Sequence, residues 1–324
     1  MCDAGEQALK CNSCILCESC SKELCRTQTF GATVIPFPNI NPEIFSFDFL
    51  GVNFTLRWYA VSYILGFFCA IRIMKYYVGK DHLWSLNKPP LNSNQADSLL
   101  TYLILGVIVG GRLGYVLFYN LDYYASNPLN IIRIWDGGMA FHGGFLGVCL
   151  AVFMYCRANS IPLWSGADLI AISSTPGLLF GRLANFVNAE LWGRPTEKPW
   201  GVVFPGERAQ ECEGVVGPCA RHPSQIYEAI LEGFFLFIVL FLLVRAGAFK
   251  RPGLVTGSFA IWYGLSRFYV EYYRVPDPQF FSNLNPYGFA FRFGEYGLTM
   301  GQVLSLPMVL VGLILVLNTR AKKG

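Results

Sequence analysis

The chain has 324 residues, 53% of them hydrophobic and only 14% charged, with 25 Lys and Arg against 21 Asp and Glu for a formal charge of +4. A soluble domain is about one-quarter charged, so with a mean hydropathy of +0.40 this composition excludes an ordinary soluble globule and points to a polytopic membrane protein. The expected surroundings are a lipid bilayer, and no nucleic-acid partner is expected.

Residues 1–41 read as a Cys-rich N-terminal extension, set apart from a membrane domain over 42–324. Cys2, Cys11, Cys14, Cys17, Cys20 and Cys25 are six of the eleven cysteines, and "CNSCILCESC" repeats C-x-x-C three times. In a cytosolic protein that spacing suggests a metal or iron–sulfur site. Outside the cell the same residues read as an accessory tail with disulfides.

Seven stretches are long enough to cross a bilayer, near 58–78, 98–119, 138–157, 166–187, 224–246, 253–274 and 298–318. In lipid a helix satisfies its own backbone groups, so the expected fold class is all-α, with seven transmembrane helices. Arg72, Lys75, Lys80 and Lys88 follow the first stretch, Arg157 the third, Arg245, Lys250 and Arg251 the fifth, and Arg320, Lys322 and Lys323 the seventh. The positive-inside rule assigns those segments to the cytoplasm. The N-terminus is then outside, the C-terminus cytoplasmic, and the loops near 120–137, 188–223 and 275–297 face outward. No cleavable signal peptide is expected, because no short apolar core with a cleavage site precedes the first span. Gly106, Gly110 and Gly114 predict close approach of another helix to the second span. Cys212 and Cys219 are a candidate disulfide pair in the long outer loop, while Cys69, Cys149 and Cys156 read as packed helix residues.

Ionisable groups within spans are costly and mark a functional site or pathway by default. At 100° per residue, Arg112, Tyr115 and Tyr119 share a stripe of the second span, and Tyr263, Arg267, Glu271 and Arg274 lie within about 80° on the sixth. Gln225, Glu228 and Glu232 form a stripe on the fifth. Arg182, Asn185 and Asn188 occupy about a third of the circumference at the outer end of the fourth, before Gly193 and Pro195 stop the helix. Arg112, Arg274, Glu228 and Glu232 read as interhelical ion pairs as readily as functional groups. Arg182 and Arg267 read as surplus donors, because an arginine cluster without enough carboxylates suits a phosphate held bidentately. A phospholipid headgroup is the phosphate nearest to hand.

"WDGGMAFHGG" surrounds His142 with Gly137, Gly138, Gly143 and Gly144, whose bare backbone admits a ligand or another chain. His142 is therefore a candidate catalytic or headgroup-contacting residue. His222, at the start of "RHPSQIYE", reads as a capping residue, and His82 carries no signal. The chain has no H-E-x-x-H, paired-Asp, G-x-S-x-G or Gly-Lys phosphate-loop motif, which leaves a metal-free site of Arg, His, Asn, Glu and Tyr. A lipid or anion transporter should show inverted repeats and discontinuous helices, and neither is visible. In a non-catalytic scaffold, changes at Arg182 and His142 should disturb assembly but no chemistry.

"GRLANFVNAELWG" resembles the signature G-R-x-x-N-F-x-N-x-E-x-x-G of the bacterial prolipoprotein diacylglyceryl transferases. "LRWYAVSYILGF", "GGRLGYVLFYN", "WDGGMAFHGG", "RHPSQIYE", "YGLSRFYVEYYR" and "MGQVLSLPM" follow in the family's order, over about 42–320. The resemblance implies a seven-helix enzyme of the bacterial cytoplasmic (inner) membrane, with its site toward the outer leaflet. The expected reaction moves the diacylglyceryl group of phosphatidylglycerol to the lipobox cysteine of a prolipoprotein signal peptide, without metal or cofactor. His142, Arg182 and Arg267 are the implied catalytic residues. The implied substrate-binding positions are Tyr59, Gly143, Gly144, Asn185, Asn188, Glu190, Gly193, Tyr263 and Glu271, together with Arg182. The resemblance carries no requirement for the Cys-rich first 30 residues.

Overall fold

A computed structural model of the chain describes residues 34–49, 52–212, 217–276, 278–282, 285–294 and 296–319. The six cysteines of the extension and the last three cations, Arg320, Lys322 and Lys323, lie outside the described residues, as do the readings placed on them. A helix occupies each of the seven apolar stretches: α1 Trp58–Val78, α2 Ser93–Tyr119, α3 Phe141–Ala158, α4 Leu163–Val187, α5 Ser224–Arg245, α6 Leu254–Val270 and α7 Met300–Asn318. Five of them, α1, α2, α3, α5 and α7, are long and apolar enough to cross a membrane, as in a polytopic membrane protein. The other two differ for visible reasons: α4 carries Asp168, Ser173, Ser174, Thr175, Arg182 and Asn185, and α6 has only 17 residues.

Boundaries departed from the hydropathy pattern where polar groups decide them. α2 begins at Ser93 rather than near 98, because Asn92 and Gln95 close a capping box with both bonds at 2.9 Å. α6 stops at Val270, so Glu271 and Arg274 stand in a turn and not on the expected helix. The all-α expectation needs a second correction. Three small two-stranded pieces are present: β1 Ile35–Pro36 with β4 Val202–Val203, β2 Glu43–Phe49 with β3 Val52–Arg57, and β5 Phe291–Phe293 with β6 Tyr296–Leu298. A bilayer-length hydropathy window averages out strands of two to seven residues, and the parallel β1–β4 pair joins segments more than a hundred residues apart in the chain.

Helix packing is set by small residues. A Cβ on Gly143 would lie 2.7 Å from Gly114 Cα, and one on Gly147 would lie 2.9 Å from Gly110 Cα. The predicted glycine face of α2 thus receives α3, and Gly143 serves that contact. Likewise Gly66 of α1 faces Gly177 of α4. α5 is interrupted by a π-helical segment, Ala229–Phe235, in which Gly233 lies against the Leu179 backbone of α4 and the Leu231 carbonyl accepts from Trp262 Nε1 at 2.9 Å. A π segment adds a residue to the turn, and such insertions recur at functional sites.

The two ends of the bundle differ. At the end holding the 79–92 and 246–253 connections, Trp84 stacks on Phe249 at 4.1 Å and Tyr77 meets the same ring edge-on. There the fully buried Asp168, which sequence reading overlooked, caps α6: its carboxylate accepts from Gly253 N, Thr256 N and Thr256 Oγ1, each at 2.7 Å. Aromatic packing closes that end. The opposite end collects the polar residues. Gly110→Leu should force α2 from α3, costing about 1–3 kcal/mol; the expected result is a melting temperature in detergent lower by roughly 3–8 °C.

Candidate functional site

The site grows from one carboxylate. Glu228, in the first turns of α5 and fully buried, accepts from Arg267 Nη1 at 2.6 Å and Arg274 Nη1 at 2.9 Å on Oε1, and its Oε2 forms an ion pair with Arg182 Nη1 at 3.2 Å. Arg182 also pairs with Glu232 at 3.2 Å, and Arg267 with Glu271 at 2.7 Å. The side chains of Arg182, Arg267 and Arg274 keep 20%, 17% and 16% exposure, whereas those of Glu228 and Glu232 have none. A cationic face therefore looks outward over an anionic floor.

The expectation of unpaired arginines is corrected here. Arg182, Arg267 and Arg274 balance Glu228, Glu232 and Glu271, three against three. What remains in surplus is hydrogen-bond donors, since each guanidinium has five N–H groups. Tyr263 lies against Arg182 as a further hydrogen-bond partner. Glu271 sits over Gly301 in the first turn of α7, where a Cβ would reach its carboxylate and where the helix dipole favours an anion.

Beside this cluster, the end of the quoted signature folds into a turn. Ala189 and Leu191 both hold left-handed backbone, with φ of 52° and 56°; each such non-glycine residue costs about 1–3 kcal/mol. The turn brings the Glu190 carboxylate onto the Tyr59 hydroxyl, which also accepts from Asn185 Nδ2, and Asn185 Nδ2 lies 3.3 Å from the same carboxylate oxygen. Burial pushes the Glu190 carboxyl above its ordinary range. Tyr59 of α1, Asn185 of α4 and Glu190 thus form one hydrogen-bonded unit.

Other predicted positions are used differently. Asn188 caps α4 through its backbone N–H to the Ala184 carbonyl. Gly193 lies where three segments cross: its N–H donates to His222 O at 2.8 Å, and a Cβ would strike that carbonyl. Gly144 lies along α2 with only ordinary contacts for a Cβ. His142 is exposed in the first turn of α3, edge-on to Phe141, and among the described residues no bond joins it to the arginine cluster. Among the described residues Arg112 makes no ion pair. It is buried and donates to the carbonyls of Ile131 at 2.7 Å, Asn130 at 2.7 Å, Arg133 at 3.1 Å and Gly138 at 3.3 Å, and to Gly137 O, holding the loop that leads to His142.

The long loop after Gly193 is a small scaffold. Cys212 and Cys219 are joined by a disulfide. The buried Arg221 donates to the carbonyls of Ala209 at 2.6 Å and Glu211 at 2.9 Å and stacks on Trp192 at 4.1 Å. Phe37 packs on Phe186 and Phe204, so the tail end of the expected extension belongs to this scaffold. Sequence reading missed Arg221, Gln225 as a loop contact, and Gly301, although all three lie inside quoted motifs.

A profile of the prolipoprotein diacylglyceryl transferases matches residues 46–318. The chain is 56% identical over 289 residues to a phosphatidylglycerol–prolipoprotein diacylglyceryl transferase of Ruegeria pomeroyi, covering 89% of this chain and 98% of that protein. The chain belongs to the prolipoprotein diacylglyceryl transferase family. Proteins of the same name from Cereibacter sphaeroides and Brucella anthropi are 55% and 47% identical, over 88% and 87% of the chain and 98% and 92% of their own lengths.

In this diacylglyceryl transferase family member, His222 ties the scaffold to the site through Nδ1 and the Tyr227 hydroxyl at 3.0 Å. Burial, and then the Lys198 ammonium, hold its imidazole below the ordinary 6.5. The folded chain therefore keeps His222 neutral where the unfolded chain takes up a proton. Its contribution to stability is complete above that ordinary value and is lost as the pH falls through the folded pKa. Melting temperature followed from about pH 7.5 to 5 should fall, and His222→Gln should flatten that part of the fall.

Proposed function

We propose that this protein transfers the diacylglyceryl group of phosphatidylglycerol to the thiol of the lipobox cysteine in prolipoprotein signal peptides, the first step of lipoprotein maturation. A carbon–sulfur bond forms at the glyceryl carbon that bears the phosphate, the carbon–oxygen bond there breaks, and glycerol 1-phosphate leaves with the electron pair. The observation that carries the reading is the convergence of Arg182 and Arg267 on Glu228. It holds two forked cations side by side with donors to spare, in the arrangement that a phosphate diester in low dielectric needs.

In this reading Arg182 and Arg267 hold the phosphate and stabilise its charge as the bond breaks. Glu271 and Tyr263 orient the two guanidiniums. Asn185, Asn188 and Glu190, with Tyr59, position the glycerol of the headgroup. His142 accepts the thiol proton or orients the headgroup, and Gly143 and Gly144 keep the chain thin beside it. The thiol needs such help, since its ordinary pKa is about 8.5. Each step falls to a side chain, so none is assigned to a metal or cofactor.

The membrane arrangement that goes with this reading has seven spans, the N-terminus outside, the C-terminus cytoplasmic, and the site toward the outer leaflet of the bacterial cytoplasmic membrane. Supporting it, Arg72, Lys75, Lys80, Lys88, Arg157, Arg245, Lys250 and Arg251 gather at the end of the bundle opposite the site. The disulfide lies at the site's own end, as an oxidising exterior allows.

Purified protein incubated with phosphatidylglycerol and a lipobox peptide should add the mass of one diacylglyceryl group to the cysteine; a competent peptide left unmodified would refute the reading. Arg182→Lys should lower turnover by about 100-fold or more, because a point charge cannot replace the fork. His142→Gln with wild-type turnover at every pH would remove the base assignment.

A further inference from the structure

Ser224 and Gln225 open α5, and both reach to the loop that carries Glu190. Gln225 is fully buried, and its Nε2 donates to the Glu190 carbonyl at 2.6 Å. Ser224, also fully buried, donates through Oγ to the Leu191 carbonyl at 2.9 Å. The two acceptors belong to consecutive residues, and Ala189 and Leu191, on either side of Glu190, are the strained left-handed ones. A non-glycine residue keeps that conformation only where its surroundings over-determine it. Among the described residues no other side chain donates to these two carbonyls.

A core filler at position 225 would be apolar. Gln225 instead leaves its Oε1 without a protein hydrogen-bond partner among the described residues, a burial that costs stability unless the amide serves some other end. The end on the page is its donor, which fixes the turn holding Glu190 against Tyr59 and Asn185.

We propose that Ser224 and Gln225 are positioning residues: they clamp the strained 189–191 turn by its carbonyls and so hold the Glu190 carboxylate, with Tyr59 and Asn185, in the geometry that receives the substrate headgroup. The clamp acts through Glu190 and touches no substrate. It rests on the reading that Glu190 takes part in headgroup binding.

The test compares kcat and KM for phosphatidylglycerol, with a lipobox peptide in mixed micelles, across the wild type, Gln225→Ala, and Gln225→Ala combined with Leu191→Gly. Glycine adopts left-handed backbone without strain. The second change therefore restores by backbone preference what the clamp supplied by hydrogen bonding. Gln225→Ala should lower kcat/KM about tenfold, the effect of losing one positioning bond, and Leu191→Gly should recover most of that loss. Wild-type kinetics in Gln225→Ala, or a loss that Leu191→Gly does not lift, would overturn the clamp. Should Gln225→Ala fail to fold, Ser224→Ala with and without Leu191→Gly reads the same relation, with an expected loss of about threefold. Glu190→Gln with unchanged kcat/KM would instead sink the headgroup reading beneath the proposal, whatever the clamp variants do.

Discussion

The buried carboxylate of Glu228 is the group on which the site end depends. Three arginines, from α4, α6 and the turn after α6, meet on its two oxygens, and none of the three could be held at this depth alone. Removing one partner from a buried ion pair typically costs about 3–5 kcal/mol, because the other charge is then left uncompensated. The pairing is also directional. Glu228 and Glu232 occupy the floor with no exposure, while the guanidiniums keep an open side. The π segment that begins immediately after Glu228 carries Glu232, so the carboxylate pair depends on the same irregularity that seats Gly233 against α4.

The rest of the fold divides the labour. At the far end, aromatic stacking of Trp84 on Phe249 and the Asp168 cap on α6 make a rigid base. Glycine contacts between α2 and α3 and between α1 and α4 bring backbones close enough for the helices to hold their register. Over the site, the disulfide-linked loop is fixed by Arg221 and by backbone crossings at Gly193. The result is a bundle closed at one end and polar at the other.

Much of this was legible in the sequence because it is local. Hydropathy located a helix in each of the seven apolar stretches, since a run of that length has few other fates, and helical angle alone grouped Arg182 with Asn185, Glu228 with Glu232, and Arg267 with Tyr263 on shared stripes. The signature motifs identified the family. Features that depend on a distant partner were not legible. Arg112 looked like half of an ion pair, but its partners are five backbone carbonyls, which carry no sequence mark. Arg182 and Arg267 looked unpaired because counting charges per span cannot show that three glutamates, two from α5 and one from the turn after α6, meet them. The turn at 271–274 was read as helix since its residues keep helical spacing. The alternation of Phe45, Phe47 and Phe49 in β2 and of Val52, Phe54 and Leu56 in β3 was legible but is averaged out over a bilayer-length window. The roles of Asp168 and Arg221 exist only once loops are folded onto them.

The claim at the centre of this account is that the open side of Arg182 and Arg267, braced from below by Glu228, is where the lipid phosphate binds. An experimental structure of the protein in nanodiscs of phosphatidylglycerol tests it most directly. The account predicts the headgroup phosphate within about 3 Å of guanidinium nitrogens of both arginines, with Glu228 still beneath them. A phosphate bound elsewhere, with both arginines engaged only by Glu228, Glu232 and Glu271, would contradict it.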